Sequence, residues 1–457
     1  MMMRTINPSQ VVANSKFNRF HLLVYLWCFY AIMFDGFDIV MFGVSLPWLM
    51  EEWSLSPVEA GAVGSYSLVG MMVGAFIFGP LADKLGKKRA LAICMVLLSV
   101  FSLASGLATN PTMFTIMRFL AALGMGGLMP NVISVMTEYS PKKNRALIVA
   151  TMYCGYSLGG ILASLIGMYL IPVTDWRVIY FIGVIPLLTL PFFLKFFPES
   201  MSFYVSKKQT KQLVSILNRI NPVGQYQETE TYQYTSDQKA FNGSPVKKMF
   251  ENKRAASTFA FWIAVFSCLL MVYGLNTWLP KIMQQAGYGL TSSLSFNLVL
   301  CVGQVVGSLI GGYLAEKIGH KRILVSLYVL GALCFISLSL TSNLFLLYIL
   351  IMIGGACTVG TQNLANPYIS EYYPPEARST GVGWALGFGR IGAILAPTVV
   401  ALILAAGIAP QNAFIAFAVP SILGALAILF IQEKYGSFDK ITKPDDVKAQ
   451  LNTHVNV

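Results

Sequence analysis

Apolar runs of close to twenty residues recur from one end of this chain to the other, and no other feature restricts its fold so strongly. At about 1.5 Å per residue, each run is long enough to cross a hydrocarbon core of about 30 Å as a helix. Backbone polar groups find no partners in lipid, so a chain with many such runs must fold as packed helices. Twelve spans are expected, over 20–45, 57–80, 89–108, 112–136, 145–170, 177–196, 257–281, 291–315, 322–341, 344–368, 378–403 and 411–432. Charged residues make up 11% of the chain and mean hydropathy is +0.64, whereas soluble domains carry about 25% charge. The expected fold class is an all-α membrane protein. The first run is too long, and too charged in its middle, for a cleaved signal peptide.

The net charge of +12 follows topology. Of the 32 Lys and Arg, only Arg118, Arg177, Lys281 and Arg390 fall outside the N-terminus, the C-terminal tail, the even-numbered loops and their flanks. Excess positive charge marks the cytoplasmic side, so both termini are expected inside, and nucleic-acid binding is excluded as the reason for the charge. All seven cysteines fall within spans with no CxxC spacing, which reads as packing. His21, His320 and His454 are too scattered for a metal site. No metal or cofactor is expected. No Ser–His, Cys–His or metal-ligand set shares one depth, so enzyme chemistry is not expected either.

The chain repeats itself. "GPLADKLGKKR" from Gly79 matches "GGYLAEKIGHKR" with its second glycine at Gly312, and "TEYSPKKNRALIVATMYCGYSLGGILAS" from Thr137 matches "SEYYPPEARSTGVGWALGFGRIGAILAP" from Ser370. Both matches stand 233 residues apart, so a six-span unit has been duplicated. Parallel halves of this kind are a transporter signature. The expected division is a first six-helix half at 1–196, a cytoplasmic linker at 197–256 and a second half with a cytoplasmic tail at 257–457. The linker holds the polar run "QYQETETYQYTSDQ" and a surface helix expected at 203–219.

Gly79 to Arg89 resembles the loop signature of the major facilitator superfamily, in which twelve helices form two pseudo-symmetric halves. Asp35-Gly-Phe-Asp38 resembles the DGxD motif of its aromatic acid:proton symporter family. "MRFLAALGMGGLMPN" (117–131) and "GVGWALGFGRIGAILAP" (381–397) support that resemblance. Within the family, "SKFNRFH" (15–21) and the stretch 360–394 look most like benzoate permeases, with 4-hydroxybenzoate and protocatechuate permeases next. The resemblance implies secondary active uptake of a small aromatic carboxylate with protons, in a bacterial inner membrane, by a monomer. A proton-coupled exporter of the same fold, or a membrane sensor that binds the acid without moving it, remain alternatives.

The charges inside the spans are the candidate site residues. Asp35 and Asp38 share a helix face near the membrane centre, where double ionisation is disfavoured, so they are candidates for proton coupling. Arg118 is expected at the depth of Asp38, as a partner that opens on protonation or as a permanent structural pair. Arg390 stands near the midplane of span eleven, opposite Ser157 in the repeat alignment. Its planar fork suits a substrate carboxylate, with packing against an acidic neighbour as the alternative. Tyr66, Tyr153, Tyr273, Asn276, Gln304, Gln362 and Asn363 occupy span positions open to cavity lining or helix contact, and Asn131 and Trp384 are put forward with Arg390 and Arg118 for substrate binding. Asp83, Arg89, Glu138, Arg145, Glu316, Arg322, Glu371 and Arg378 cluster at the cytoplasmic ends of spans and are expected to form an ion network between the halves.

Overall fold

A computed structural model describes residues 5–233, 245–374 and 377–437. Among these, twelve helices are long and apolar enough to cross a membrane: Arg19–Glu52, Pro57–Leu85, Lys87–Gly106, Pro111–Tyr139, Leu147–Val173, Arg177–Phe196, Ala255–Gln285, Leu290–Ile318, His320–Leu340, Leu344–Tyr372, Arg378–Ala405 and Pro410–Phe430, called spans 1 to 12. The expected spans all appear, with their ends within about a turn of the expected positions except that spans 1 and 2 run on to Glu52 and Leu85. Span 1 runs on to Glu52 because Pro47 is accommodated inside the helix.

Local sequence starts several of these helices. Ser56 and Glu59 form a capping box ahead of Pro57, while Asn110 and Asn343 accept the amides of Met113 and Leu346 at the starts of spans 4 and 10. Span 6 breaks after Ile182, at Gly183 and Val184. Span 12 likewise begins as a 3-10 turn, Pro410–Phe414, at the repeat-related place.

Spans 1, 2, 3 and 4 pack with spans 5, 4, 6 and 1 into one six-helix half, and spans 7 to 12 repeat the arrangement. Glycines permit the closest approaches. A Cβ at Gly70 would run into the carbonyl of Phe119, and one at its repeat mate Gly303 into that of Met352. The halves meet through spans 2 and 11, 5 and 8, and 1 and 7.

That seam is closed at one end only. The near face carries Thr5 and the central linker, and the far face is the opposite end. Toward the far face, Ser65 Oγ donates to Ile394 O at 2.6 Å and lies 2.8 Å from Thr398 Oγ1. A Cβ at Gly61 would stand 2.8 Å from Pro397 O. Five helical turns along the same face of span 2, Gly79 has nothing within 4 Å, and neither do Gly383 and Gly387 on the opposing face of span 11. Spans 5 and 8 repeat the pattern: Gly160 abuts Cys301 and Asn297 Nδ2 donates to Ser164 Oγ at 3.0 Å, while Gly312 faces open space. The halves therefore form a wedge, open at the near face.

The linker departs from the expected single helix. Over 203–219 there are two, Met201–Ser206 and Thr210–Ile220, broken where Lys208 adopts φ of 53°, and a further short helix, Pro245–Phe250, precedes span 7. The second buries Leu213, Val214, Ile216, Leu217 and Ile220, and Asn18 Nδ2 donates to the carbonyls of Arg219 and Ile220. Thr5–Ile6 pairs in parallel with Thr231–Tyr232, a contact without a sequence signal. His454 and most of the expected tail lie outside the described residues.

Candidate functional site

Span 1 carries both aspartates to the middle of the bundle, and their surroundings differ. Asp38 is paired. Arg118 Nη1 donates to Asp38 Oδ1 at 2.9 Å, Nη2 stands 2.8 Å from Oδ2, and Nη2 also reaches the Asp38 carbonyl at 3.2 Å. Both side chains are buried, so span 1 is joined to span 4 by a charge pair shielded from solvent. The Arg118 guanidinium lies 5.7 Å from the ring centre of Tyr180, whose hydroxyl is 2.7 Å from Ser45 Oγ. Phe114 and Trp176 complete that aromatic wall, each edge-on to Tyr180.

Asp35, one turn earlier, is fully buried and neither carboxylate oxygen has a hydrogen-bond partner among the described residues. The opposite charge that bears on it comes from across the seam. Arg390 on span 11 and Asp35 act on one another electrostatically, and the phenols of Tyr153, Tyr156 and Tyr273 lie within reach of both. Arg390 makes no ion pair among the described residues. Its Nη1 donates to Tyr273 Oη and to Met71 Sδ, both at 3.1 Å. A half-buried guanidinium held by a phenol and a thioether keeps its charge unmatched and most of its donors free.

Two small cavities meet at Tyr273. One, of about 30 Å³, is walled by Phe42, Met71, Arg118, Met125 and Thr277. The other, of about 10 Å³, lies among Met129, Tyr153, Tyr156, Gln362 and Asn363. Each has room for about one water, so a ring-sized ligand needs the helices to part. Tyr156 Oη is buried without a partner among the described residues. On the other side of the seam, Ser157 Oγ donates to Gln304 Oε1 at 3.3 Å, and Gln304 Nε2 donates to Asn276 Oδ1 at 3.3 Å.

Other expected residues stand elsewhere. Asn131 donates to the carbonyls of Gly127 at 2.8 Å and Phe78 at 3.4 Å, tying span 4 to span 2. Trp384 lies about 120° round span 11 from Arg390, on an exposed stripe with Phe388, Ile391 and Leu395, and stacks on Trp262 with ring centres 5.6 Å apart. The structure therefore does not bring Trp384 to Arg390. Tyr66 is exposed. Tyr156 and Met71 were not singled out from the sequence, where an apolar span offers them no distinguishing signal. The repeat does: Met71 and Gln304 are mates, as are Ser157 and Arg390.

Among the described residues, the near-face ion pairs lie within each half. Lys87 Nζ lies 3.0 Å from Glu138, and at the repeat-related position His320 Nδ1 lies 3.5 Å from Glu371. Arg145 and Arg378 each donate to a carbonyl five residues earlier, Ser140 and Tyr373. Asp83, Arg89, Glu316 and Arg322 are exposed and make no ion pair among the described residues. The expected network resolves into contacts within each half because the wedge holds the two near ends apart.

Residues 28–305 and 298–451 match the family model of the Major Facilitator Superfamily. The chain is 40% identical to the benzoate transport protein of Acinetobacter baylyi, covering 95% of this chain and 94% of that protein. It is 31% identical to the gallate transporter of Pseudomonas putida, covering 93% and 94%, and 31% identical to the 4-hydroxybenzoate transporter PcaK of Acinetobacter baylyi, covering 88% of each. The solved xylose transporter XylE from E. coli, in a partially occluded inward open conformation, shares the fold with a TM-score of 0.72 at 14% identity, covering 89% of this chain and 98% of that one. A bacterial homologue of the human lysosomal transporter Spinster does so at 0.70 and 16%, covering 94% and 100%. With matches along nearly its whole length, the chain belongs to the Major Facilitator Superfamily, a family of multi-pass membrane transporters and not of enzymes.

Proposed function

We propose that this chain takes up an aromatic carboxylate, benzoate first, together with protons, by alternating access across a bacterial inner membrane. The observation that carries this reading is Arg390, a cation at the seam with no ion-pair partner among the described residues, standing opposite the unpartnered acid Asp35. A carboxylate fits the free fork of Arg390 with two parallel hydrogen bonds. The phenols and amides around Tyr273 offer flat apolar faces with a few polar groups, as an aromatic ring requires. Asp35 has no fixed hydrogen bond to give up, so it is the residue that takes and releases the proton, while Asp38 stays matched by Arg118.

In this reading the near face is cytoplasmic, as the distribution of Lys and Arg indicates, and both termini lie inside. The wedge is then the inward-facing state. Halves 1–196 and 257–457 rock about the seam, with 197–256 as the linker. The benzoate, gallate and 4-hydroxybenzoate transporters among the relatives support an aromatic acid as cargo. Protocatechuate and other hydroxylated benzoates form the second choice. One chain contains every group invoked, so a monomer suffices.

Uptake into proteoliposomes of purified protein, with a pH gradient imposed, tests the reading. Acid outside is expected to drive labelled benzoate inward against its own gradient, with hydroxylated benzoates competing. Accumulation driven only by the opposite gradient would make the chain an exporter, and saturable binding without movement would make it a sensor.

A further inference from the structure

Two of the polar contacts that cross the seam at mid-depth are one contact written twice. Met71 on span 2 meets Arg390 on span 11, and Gln304 on span 8 meets Ser157 on span 5. Residues 71 and 304 are repeat mates, and so are 157 and 390, each 233 apart. On one side an amide oxygen accepts from a hydroxyl. On the other, a guanidinium meets a sulfur, which is a weak acceptor for a strong donor. Met71 is 1% exposed, and a Cβ at Gly126 would run into its carbonyl, so its backbone is held firmly against span 4 while its side chain crosses to the other half. Tyr273, the other partner of Arg390, belongs to the same half as Arg390, and its hydroxyl reaches the same Met71 sulfur across the seam at a longer 3.9 Å.

We infer that Met71 is a positioning residue for Arg390, holding the guanidinium at the seam weakly enough for an incoming carboxylate to displace it. The inference rests on the reading of Arg390 as the anchor for the carboxylate. An amide at position 71, as at its mate Gln304, offers a full acceptor that competes with substrate for the same N–H groups. A thioether keeps the fork aimed without occupying it. Because Met71 and Arg390 sit on different halves, the exchange of sulfur for carboxylate also releases one of the contacts that join the halves at this depth.

The test compares Met71→Gln, Met71→Leu and Arg390→Ala in the full chain, reconstituted and assayed for pH-driven benzoate uptake. The three side chains at position 71 have similar volume, so packing is conserved while the acceptor changes. Met71→Gln is expected to raise the half-saturating benzoate concentration about tenfold with maximal rate nearly unchanged, as a hydrogen bond to a charged group predicts. Met71→Leu removes the acceptor that aims the fork and is expected to raise the half-saturating concentration only about threefold, the sulfur being a weak partner. Equal effects of Gln and Leu, or none from Gln, would reduce Met71 to a packing residue and overturn the inference. Should Met71→Gln not fold, Met71→Glu supplies the second measurement: its carboxylate pairs with Arg390 and is expected to weaken benzoate binding more than tenfold, and native-like affinity there overturns the inference equally. Arg390→Ala separates the two levels. Native affinity in that variant removes the anchor itself, whereas lost binding there with native behaviour in the Met71 variants removes only the role of Met71.

Discussion

Asp35 and Asp38 look alike in the sequence and differ in what they touch, which makes them separable by experiment. Removing one member of the buried Asp38–Arg118 pair leaves the other charge uncompensated, at a cost of about 3–5 kcal/mol. Asp38→Asn and Arg118→Gln are each expected to lower the unfolding temperature of the purified chain, and the double variant to recover much of the loss. Asp35→Asn breaks no hydrogen bond among the described residues, so its stability should match the parent while proton-driven accumulation disappears. A thermal-shift series run beside transport reads both, and additive losses in the double variant would argue that the two charges act separately. The sequence supplied the identity of all four charges, since ionised side chains are conspicuous in apolar spans. It did not distinguish the aspartates, because pairing with Arg118 depends on how spans 1 and 4 rotate against each other. Trp384 and Asn131 show the same limit, as depth along a span is legible and the face it turns is not.

At the scale of the helix, glycine decides where the two halves can touch. Gly43 lies at the crossing of spans 1 and 7, where a Cβ would run into the carbonyl of Asn276. The atoms nearest to such a Cβ all belong to the other half, so a side chain there forbids the closed far end seen here. Gly43→Leu is expected to fold, to lose uptake and to favour the state open at the far face. Alkylation of Thr277→Cys by an impermeant maleimide applied from that side reads the shift: slow in the parent, faster with Gly43→Leu. The seven native cysteines are all buried, which keeps the background low. Unchanged labelling together with full uptake would show that the crossing tolerates a side chain. Hydrophobic run length was enough to place the twelve spans, and the offset of 233 was enough to pair them. The break in the linker at Lys208 and the pairing of Thr5–Ile6 with Thr231–Tyr232 were not foreseen, because a single left-handed residue and a two-residue strand leave no periodic trace.

Across the whole molecule, the register of the seam specifies the motion that would close its open end. On spans 2 and 11, Ser65 meets Ile394 and Thr398, and Met71 meets Arg390, so the helices run antiparallel in a constant register. Extending that register along the same faces sets Gly79 opposite Val382 and Gly383, and both glycines now face open space. Rocking the halves about the level of Arg390 would bring those positions together as the Ser65 end parts. The near-face groups that now meet within each half, Lys87 with Glu138 and His320 with Glu371, would then approach the exposed Arg89, Asp83, Glu316 and Arg322 and exchange partners across the closing gap. A disulfide between Gly79→Cys and Gly383→Cys is therefore expected to form only during turnover, to arrest uptake when oxidised and to release it on reduction. Crosslinking that leaves uptake intact would mean that these ends need not separate in the cycle, and the wedge would then be one resting shape among others instead of a required intermediate. Failure to crosslink in an actively transporting sample would place the pivot elsewhere than Arg390, since rotation about that level leaves the two positions no other course.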